Sequence, residues 1–341
     1  MINFNFIKLF MDLLIANFLG SIILLFIGTQ LLVNASITLS NKLSVNRIII
    51  GFTVVSLATS LPELFVTLGA SLRGYNDFAI GNIIGSNISN ISLVLGFTAI
   101  ISPLLFSKKE FFLNYIPLIL VSTLFVLLLI FVGILNLISG ILSIFLLIGF
   151  NIYLFKKGSD VSQLDNSLDD KDVFVLFGKR IRIYNIIFLI FILFSGSIVL
   201  WLGSELLIHS SKSIALKLGI SDRVISITLV ALGTSLPELF SSIYAAYKKE
   251  TKLAIGNLLG SNIFNILAVL GATTCINQII IDKSLYMDAI IMLVITLLLL
   301  PCFYCRSILF NPKNSQQISI YRIEGIILLL IYISYITFTL L

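Results

Sequence analysis

The segment from Ser56 to Leu68 reads SLATSLPELFVTL, and 175 positions later Ala231 to Ile243 reads ALGTSLPELFSSI, each inside a long apolar run. At that offset Gly51 to Gly96 aligns with Ser226 to Gly271 without a gap, and roughly half of the positions are identical, which makes an internal repeat. Each copy carries one glutamate, Glu63 or Glu238, in the middle of apolar sequence. An ionised side chain at the centre of a membrane helix costs about 2.5–3.5 kcal/mol on insertion scales. Two such residues are expected to face each other or a wet cavity, and to mark function.

The surroundings are membrane-like. Hydrophobic residues make up 58% of the chain and charged residues 11%, far below the roughly 25% charged of globular domains. Ten apolar stretches reach the roughly 20 residues needed to cross a bilayer, at approximately 12–34, 47–72, 78–102, 112–131, 134–155, 183–208, 222–247, 253–275, 285–305 and 319–341. They are continuous blocks of helical length, unlike the alternating segments of a β-barrel, so an all-α integral membrane fold is expected.

The net charge of +6 does not imply nucleic acid, because the basic residues are scattered over short loops and form no patch or stripe. They report orientation instead. With the N-terminus outside, sixteen of the 22 Lys and Arg residues fall in loops on the cytoplasmic side, as the positive-inside rule favours. Both termini are then expected to be extracytoplasmic, and the two motifs, in spans two and seven, cross the membrane in opposite senses. The expected architecture is ten transmembrane helices as two inverted five-helix repeats: residues 1–155 with a repeat core at 51–97, a cytoplasmic linker at 156–182, and residues 183–341 with a core at 226–272.

Three side features are given bland readings. Lys8 followed by an apolar run resembles a signal peptide, but the run is too long, and Gly28 to Val45 matches Gly203 to Ile220 at the same offset, so span one is expected to belong to the fold. Cys302 and Cys305, with Cys275, lie in apolar sequence and are expected to be small packing residues. The linker acids Asp160, Asp165, Asp169, Asp170 and Asp172 lack the ligand spacing of an EF-hand, so a solvated loop is expected.

The chemistry sits in the repeat. Thr59, Ser60 and Glu63 are three to four residues apart and can share a helix face, as can Thr234, Ser235 and Glu238. Pro62 and Pro237 remove a backbone donor, leaving the carbonyls of Ala58 and Gly233 without helical partners. Asn82, Ser86 and Asn90 recur every fourth residue in span three, as do Asn257, Ser261 and Asn265 in span eight, and each set is expected to form one polar stripe. Gly81 and Gly85, with Gly256 and Gly260, give the small-residue spacing that lets membrane helices approach closely. Carboxylate, hydroxyl, amide and carbonyl oxygens without thiolate or imidazole suit a hard cation, which points to Ca²⁺ or Na⁺. Two carboxylates can take one Ca²⁺, two Na⁺ or two protons, and competition for them is itself a coupling mechanism.

GTSLPE with a later GNxxGSNxxN, present twice, resembles the two α-repeats of the calcium/cation antiporter superfamily, closest to its sodium/calcium exchanger branch in the prokaryotic form. The resemblance covers the repeat cores. It implies an antiporter exchanging Ca²⁺ for Na⁺ by alternating access, with Glu63 and Glu238 as central ligands. Thr59, Ser60, Ser86, Thr234, Ser235 and Ser261 match oxygen ligands, and Asn90 and Asn265 match polar positions around the centre. In exchangers that also carry K⁺ the position of Asn265 is usually Asp. Ala58 stands where the family has Gly, and Ser56 stands opposite Ala231, which touches fine selectivity only. The resemblance implies no cofactor, Ca²⁺ and Na⁺ as substrates, a multi-pass place in the inner membrane of a prokaryote, no nucleic-acid partner, and function as a monomer.

The rival readings are an H⁺-coupled Ca²⁺ antiporter of the same fold, whose relatives carry a GNxxE-type signature instead of TSLPE, and a cation channel, which would build its filter from a ring of subunits. A membrane enzyme is disfavoured because there is no HExxH and only one histidine, His209. Glu205, corresponding to Gln30, is expected near the outer boundary together with Gln30 in a snorkelling or helix-pairing role. His209 is expected to be an interfacial residue without a role, and Trp201 a packing or anchoring one.

Overall fold

Apolar residues that recur over 20 or more positions leave the backbone no solvent partner in a bilayer, so each stretch must satisfy its own N–H and C=O groups as a helix. The computed structural model describes residues 4–158, 172–217, 233–310 and 317–340. Its helices are α1 (Phe4–Leu43), α2 (Arg47–Thr59), α3 (Leu61–Leu72), α4 (Asn76–Ile101), α5 (Lys108–Phe131), α6 (Leu137–Gly158), α7 (Ile186–Lys217), α8 (Leu236–Tyr247), α9 (Thr251–Ile276), α10 (Tyr286–Phe310) and α11 (Arg322–Leu340). Among the described residues eight helices are long and apolar enough to cross a membrane, and α2 with α3, bent by 42° at Ser60, makes a ninth candidate. The expected seventh span, 222–247, lies partly outside the described residues, and α8 is its described portion.

The helices run further than hydropathy suggests. The first span, expected over 12–34, continues to Leu43 through Ser36, Thr38 and Ser40. These residues are tolerated because the Ser36 hydroxyl donates to Leu32 O (2.8 Å) and that of Thr38 to Asn34 O (2.9 Å), within the helix.

Helices α1 and α7 form an antiparallel pair held by glycine. A Cβ on Gly28 would lie 2.7 Å from the backbone nitrogen of Leu200, and one on Gly203 would lie 2.9 Å from that of Leu25. Gly203 and Leu200 follow Gly28 and Leu25 by the repeat offset, so the contact is reciprocal. A second reciprocal contact lies at the periphery, where Gly271 follows Gly96 by 175 positions and Gly325 follows Gly140 by 185. α11 lies against α4 at Gly325 and Gly96, and α6 against α9 at Gly140 and Gly271. A Cβ on Gly325 would meet Gly96 O at 2.7 Å, and one on Gly140 would meet Gly271 O at 2.7 Å.

The all-α expectation holds for the spanning elements but omits three short antiparallel ribbons at their ends. These are β1 (Leu104–Ser107) with β6 (Gln317–Ile320), β2 (Ile134–Leu135) with β5 (Ile279–Ile280), and β3 (Val173–Leu176) with β4 (Lys179–Arg182). Each pairs extended backbone that leaves a helix end, where N–H and C=O groups need partners. Two to four residues give hydropathy no signal.

The β3–β4 hairpin also corrects the reading of the linker as solvated loop. Phe177 (φ 47°) and Gly178 (φ 78°) turn the chain in the doubly left-handed manner of a two-residue hairpin loop. Phe174 is buried, Thr38 donates to Val173 O (3.0 Å), and Lys42 pairs with Asp172 and donates to Ile183 O (3.0 Å). Asp160, Asp165, Asp169 and Asp170 lie outside the described residues.

Gln30 is corrected as well. It is buried, its Oε1 accepts from the Phe177 amide (3.1 Å), and so it sits beside the linker rather than with Glu205, which is exposed on α7. Helices that correspond by sequence but run antiparallel carry corresponding residues to opposite faces. His209 is exposed, and Trp201 lies 5.6 Å from Phe65, ring centre to ring centre. Cys275 is a half-buried free thiol, and the side chains of Cys302 and Cys305 lie outside the described residues.

Candidate functional site

Pro62 does more than kink a helix. The chain leaves helical geometry at Ser60 (φ −84°, ψ 5°) and again at Ser235 (φ −83°, ψ 3°), and a new helix starts at once, with proline in its first two positions. Proline belongs there because the first amides of a helix have no intrahelical acceptor. Besides freeing a carbonyl, which at Gly233 accepts from the Ser204 hydroxyl at 2.6 Å, each proline thus coincides with a break in the helix. Its consequence is that Glu63 and Glu238 both stand in the first turn of a helix, where the positive end of the peptide dipoles favours a carboxylate.

Both carboxylates are 0% exposed and lie close enough to feel each other's charge. The Ser60 hydroxyl, from the other half of the chain, donates to Glu238 Oε1 at 3.3 Å. Among the described residues, Glu238 Oε2 and both oxygens of Glu63 have no hydrogen-bonding partner. A buried, unpaired carboxylate is too costly to persist without a cation, a proton or water.

The other expected residues are all buried. The hydroxyls of Ser86 and Thr234 meet at 3.2 Å across the two halves. Thr59 donates to Asn257 Oδ1 (3.2 Å) and Ser261 to the Asn257 carbonyl within its own helix (2.8 Å). Asn265 Nδ2 donates to Asn87 Oδ1 (3.1 Å), leaving its own Oδ1 unpartnered, and neither Ser235 Oγ nor either end of the Asn90 amide has a partner. The structure thus joins Ser60 to Glu238 and Ser86 to Thr234 directly. Asn90, Ser235 and Glu63 it leaves as unsatisfied polar atoms.

The every-fourth stripe is interrupted by geometry that spacing alone does not reveal. The helix widens to a π-turn over Ser89–Val94 and over Asn265–Val269, the local distortion often found at functional sites. Asn90 and Asn265 stand at the start of these turns, where the regular helix of the residues before them ends. Close approach of the helices is as expected on one side: a Cβ on Gly260 would sit 2.6 Å from Phe52 O.

Some polar residues were outside the expected set. Asn87 and Asn262 join the two halves, with Asn87 Nδ2 on the Asn262 carbonyl at 3.3 Å. Asn82 donates to Thr67 (3.0 Å), and Asn257 donates to Ser241 and Ser242 (both 3.0 Å). Recurrence in both copies was a usable signal for Asn87 and Asn262. Thr67 and Ser242 also correspond at the repeat offset and keep a hydroxyl in both copies, whereas Ser241 stands opposite Val66 and gave no signal. Among the described residues no three His, Cys, Asp or Glu side chains gather in one place.

The family description sodium/calcium exchanger protein matches residues 13–156 and 188–341. The chain belongs to this family. It is 34% identical over 321 residues to the putative antiporter CaxA of Alkalimonas amylolytica, covering 93% of this chain and 95% of that one. It is 28% identical over 361 residues to the sodium/calcium exchanger MaX1 of Methanosarcina acetivorans, covering 90% and 93%. A solved structure of the sodium-calcium exchanger NCX_Mj superimposes with a TM-score of 0.76 at 32% identity, covering 96% of this chain and 99% of that one. The protein is accordingly a multi-pass membrane antiporter of cations, a transporter and not an enzyme.

Proposed function

We propose that the protein exchanges Ca²⁺ for Na⁺ by alternating access around Glu63 and Glu238. The observation that carries this reading is the pair of fully buried carboxylates at the starts of two broken helices, with three of their four oxygens unpartnered. Ca²⁺ takes six to eight oxygens, and Thr59, Ser60, Ser86, Asn90, Thr234, Ser235, Ser261 and Asn265 offer neutral ones around that charge. One Ca²⁺ neutralises two carboxylates, and so do two Na⁺. A site that crosses the bilayer readily only when neutralised exchanges one load for the other.

The ten-helix, inverted-repeat architecture belongs to this proposal. It is supported by the reciprocal contacts: Gly28 on Leu200 with Gly203 on Leu25, and β1 with β6 against β5 with β2. Such repeats place the substrate site near the bilayer midplane and let one set of helices move against the other. One cross-contact of the site lacks its counterpart, since Ser60 reaches Glu238 while Ser235 has no partner. A symmetric sequence held in an asymmetric arrangement is what one of two alternating states requires.

Uptake of ⁴⁵Ca²⁺ into proteoliposomes tests the reading, with an outward Na⁺ gradient, an outward H⁺ gradient, or neither. Uptake driven by Na⁺ alone is expected. Uptake driven by H⁺ alone moves the protein to proton coupling with the same site, and flux indifferent to either gradient removes the exchange reading.

A further inference from the structure

One group of polar side chains next to the site has no counterpart in the other half. Ser89, beside Asn90 at the start of the π-turn, is fully buried, and its hydroxyl has no partner of hydrogen-bonding geometry. Helix α11 packs along that π-turn, and its Tyr332 side chain is 6% exposed, with its hydroxyl in hydrogen-bonding geometry to no group among the described residues. One turn along α11, Tyr335 donates to Asp288 Oδ1 at 3.3 Å. Asp288 stands in the first turn of α10, directly after the short turn Lys283–Leu285. Ser89 adjoins Asn90 in the chain, and Asp288 stands at the start of its helix.

The equivalent seam of the other half is apolar. Ser89 and Asp288 correspond at the repeat offset to Phe264 and Leu113. Tyr332 and Tyr335 follow Gly325 by seven and ten residues, as Leu147 and Phe150 follow Gly140. Phe264 and Leu147 are buried, and Phe150 meets Phe52 edge to face at 5.1 Å. Helix packing therefore does not require hydroxyls at these places, since the same seam closes on aliphatic and aromatic groups.

We propose that the seam between the π-turn of α4 and helices α10 and α11 is a water-binding branch of the ion site, opening beside Asp288. Asn90 Nδ2 must donate while Asn90 Oδ1 must accept, and Ser89 and Tyr332 can do either. Water can meet all of these demands at once, whereas a cation can only be coordinated by the oxygens. Buried polar groups at membrane depth need such a partner. The branch gives Asn90 hydration from one side of the bilayer, so the two asparagines of the π-turns, Asn90 and Asn265, are unequal. Its relevance to ion transfer rests on the exchange reading above, but its existence does not.

The test is thiol accessibility in the full-length protein with Cys275, Cys302 and Cys305 replaced by Ala. Ser89→Cys and Ser92→Cys are near-isosteric. Ser92 is equally buried on the same π-turn, with its hydroxyl bound to the Ile88 carbonyl, and serves as the sealed control. In vesicles without any ion gradient, a membrane-impermeant methanethiosulfonate is added from each side. S89C is expected to react about tenfold or more faster than S92C from the side of Asp288, as access governs thiol reactivity. Adding Asp288→Leu and Tyr335→Phe, the residues of the sealed half, is expected to bring S89C down to the S92C rate. Equal inertness of S89C and S92C overturns the proposal. So does fast S89C labelling that the Leu and Phe substitutions leave unchanged, because the reagent then arrives through the main ion path. Neither outcome depends on which ions are exchanged, so a failure here and a failure of Na⁺-driven Ca²⁺ uptake are separate results.

Discussion

The half of the site around Glu63 and the half around Glu238 are built from nearly the same letters and end in different states. Glu238 is held by Ser60 from across the interface, and Asn265 is tied to Asn87. Among the described residues the side chains of Glu63 and Asn90 have no hydrogen-bonding partner. Since TSLPE is identical in both copies, the difference lies in how the two halves are set against each other and not in the local sequence. Duplicated side chains provide two equivalent half-sites in sequence, and tertiary arrangement decides which of them is engaged by a neighbour.

The largest effect on that comparison is expected from neutralising either carboxylate. Glu63→Gln and Glu238→Gln should each reduce ⁴⁵Ca²⁺ exchange in proteoliposomes to background, because both charges are needed to balance one divalent ion. Wild-type flux in either variant would show that the halves are not equivalent in function and would sink the site assignment.

Next in size are the reciprocal glycines. Gly28→Ala and Gly203→Ala each force a methyl group against backbone, and overpacking of this kind costs about 1–3 kcal/mol. Thermal unfolding in detergent should show the two variants losing similar stability. A large loss in one and none in the other would break the equivalence of the α1–α7 contact.

Ser60→Ala and Ser235→Ala sharpen the asymmetry itself. Removing the hydroxyl that Ser60 gives Glu238 is expected to weaken apparent Ca²⁺ affinity by roughly fivefold, equivalent to about 1 kcal/mol. If Ser235 meets Glu63 in the alternate state, S235A should weaken it comparably when transport is assayed in the opposite direction. An S235A protein unchanged in both directions would argue that Ser60 and Ser235 do not exchange roles.

The smallest effect is expected where only one half is decorated. Lys42 pairs with Asp172 on the hairpin that joins the halves, and both residues are partly exposed. Such pairs contribute about 0.2–1 kcal/mol, so Asp172→Asn should lower thermal stability slightly while leaving ⁴⁵Ca²⁺ flux intact. A strong loss of flux would instead make the hairpin part of the transport cycle.

Much of the site could be read from residue spacing, for a specific reason. A buried glutamate in an apolar run is improbable by chance, and its recurrence with the same flanking Thr, Ser and Pro made Glu63 and Glu238 candidates without any structure. Asn87 escaped selection although it recurs, because an asparagine one residue off an every-fourth stripe looks as if it faces away. The π-turn that follows was invisible, since no residue type demands it. Gln30 was placed at the wrong boundary because correspondence in sequence was taken for correspondence in depth, and the antiparallel pairing of α1 with α7 reverses depth. The hairpin at Val173–Arg182 escaped because four-residue strands leave no periodicity to detect.

The sequence by itself determined what is local or repeated: apolar stretches of membrane length, a proline before each glutamate, a residue set offering only oxygen ligands, and the duplication. These follow from the cost of placing backbone and charge in hydrocarbon, which each segment meets on its own. Only the tertiary structure decided which oxygens meet across the halves, that Ser60 rather than Ser235 holds a carboxylate, and that one seam is polar while its counterpart is sealed. Those outcomes depend on contacts between residues well over a hundred positions apart, where packing chooses among arrangements that the local sequence permits equally.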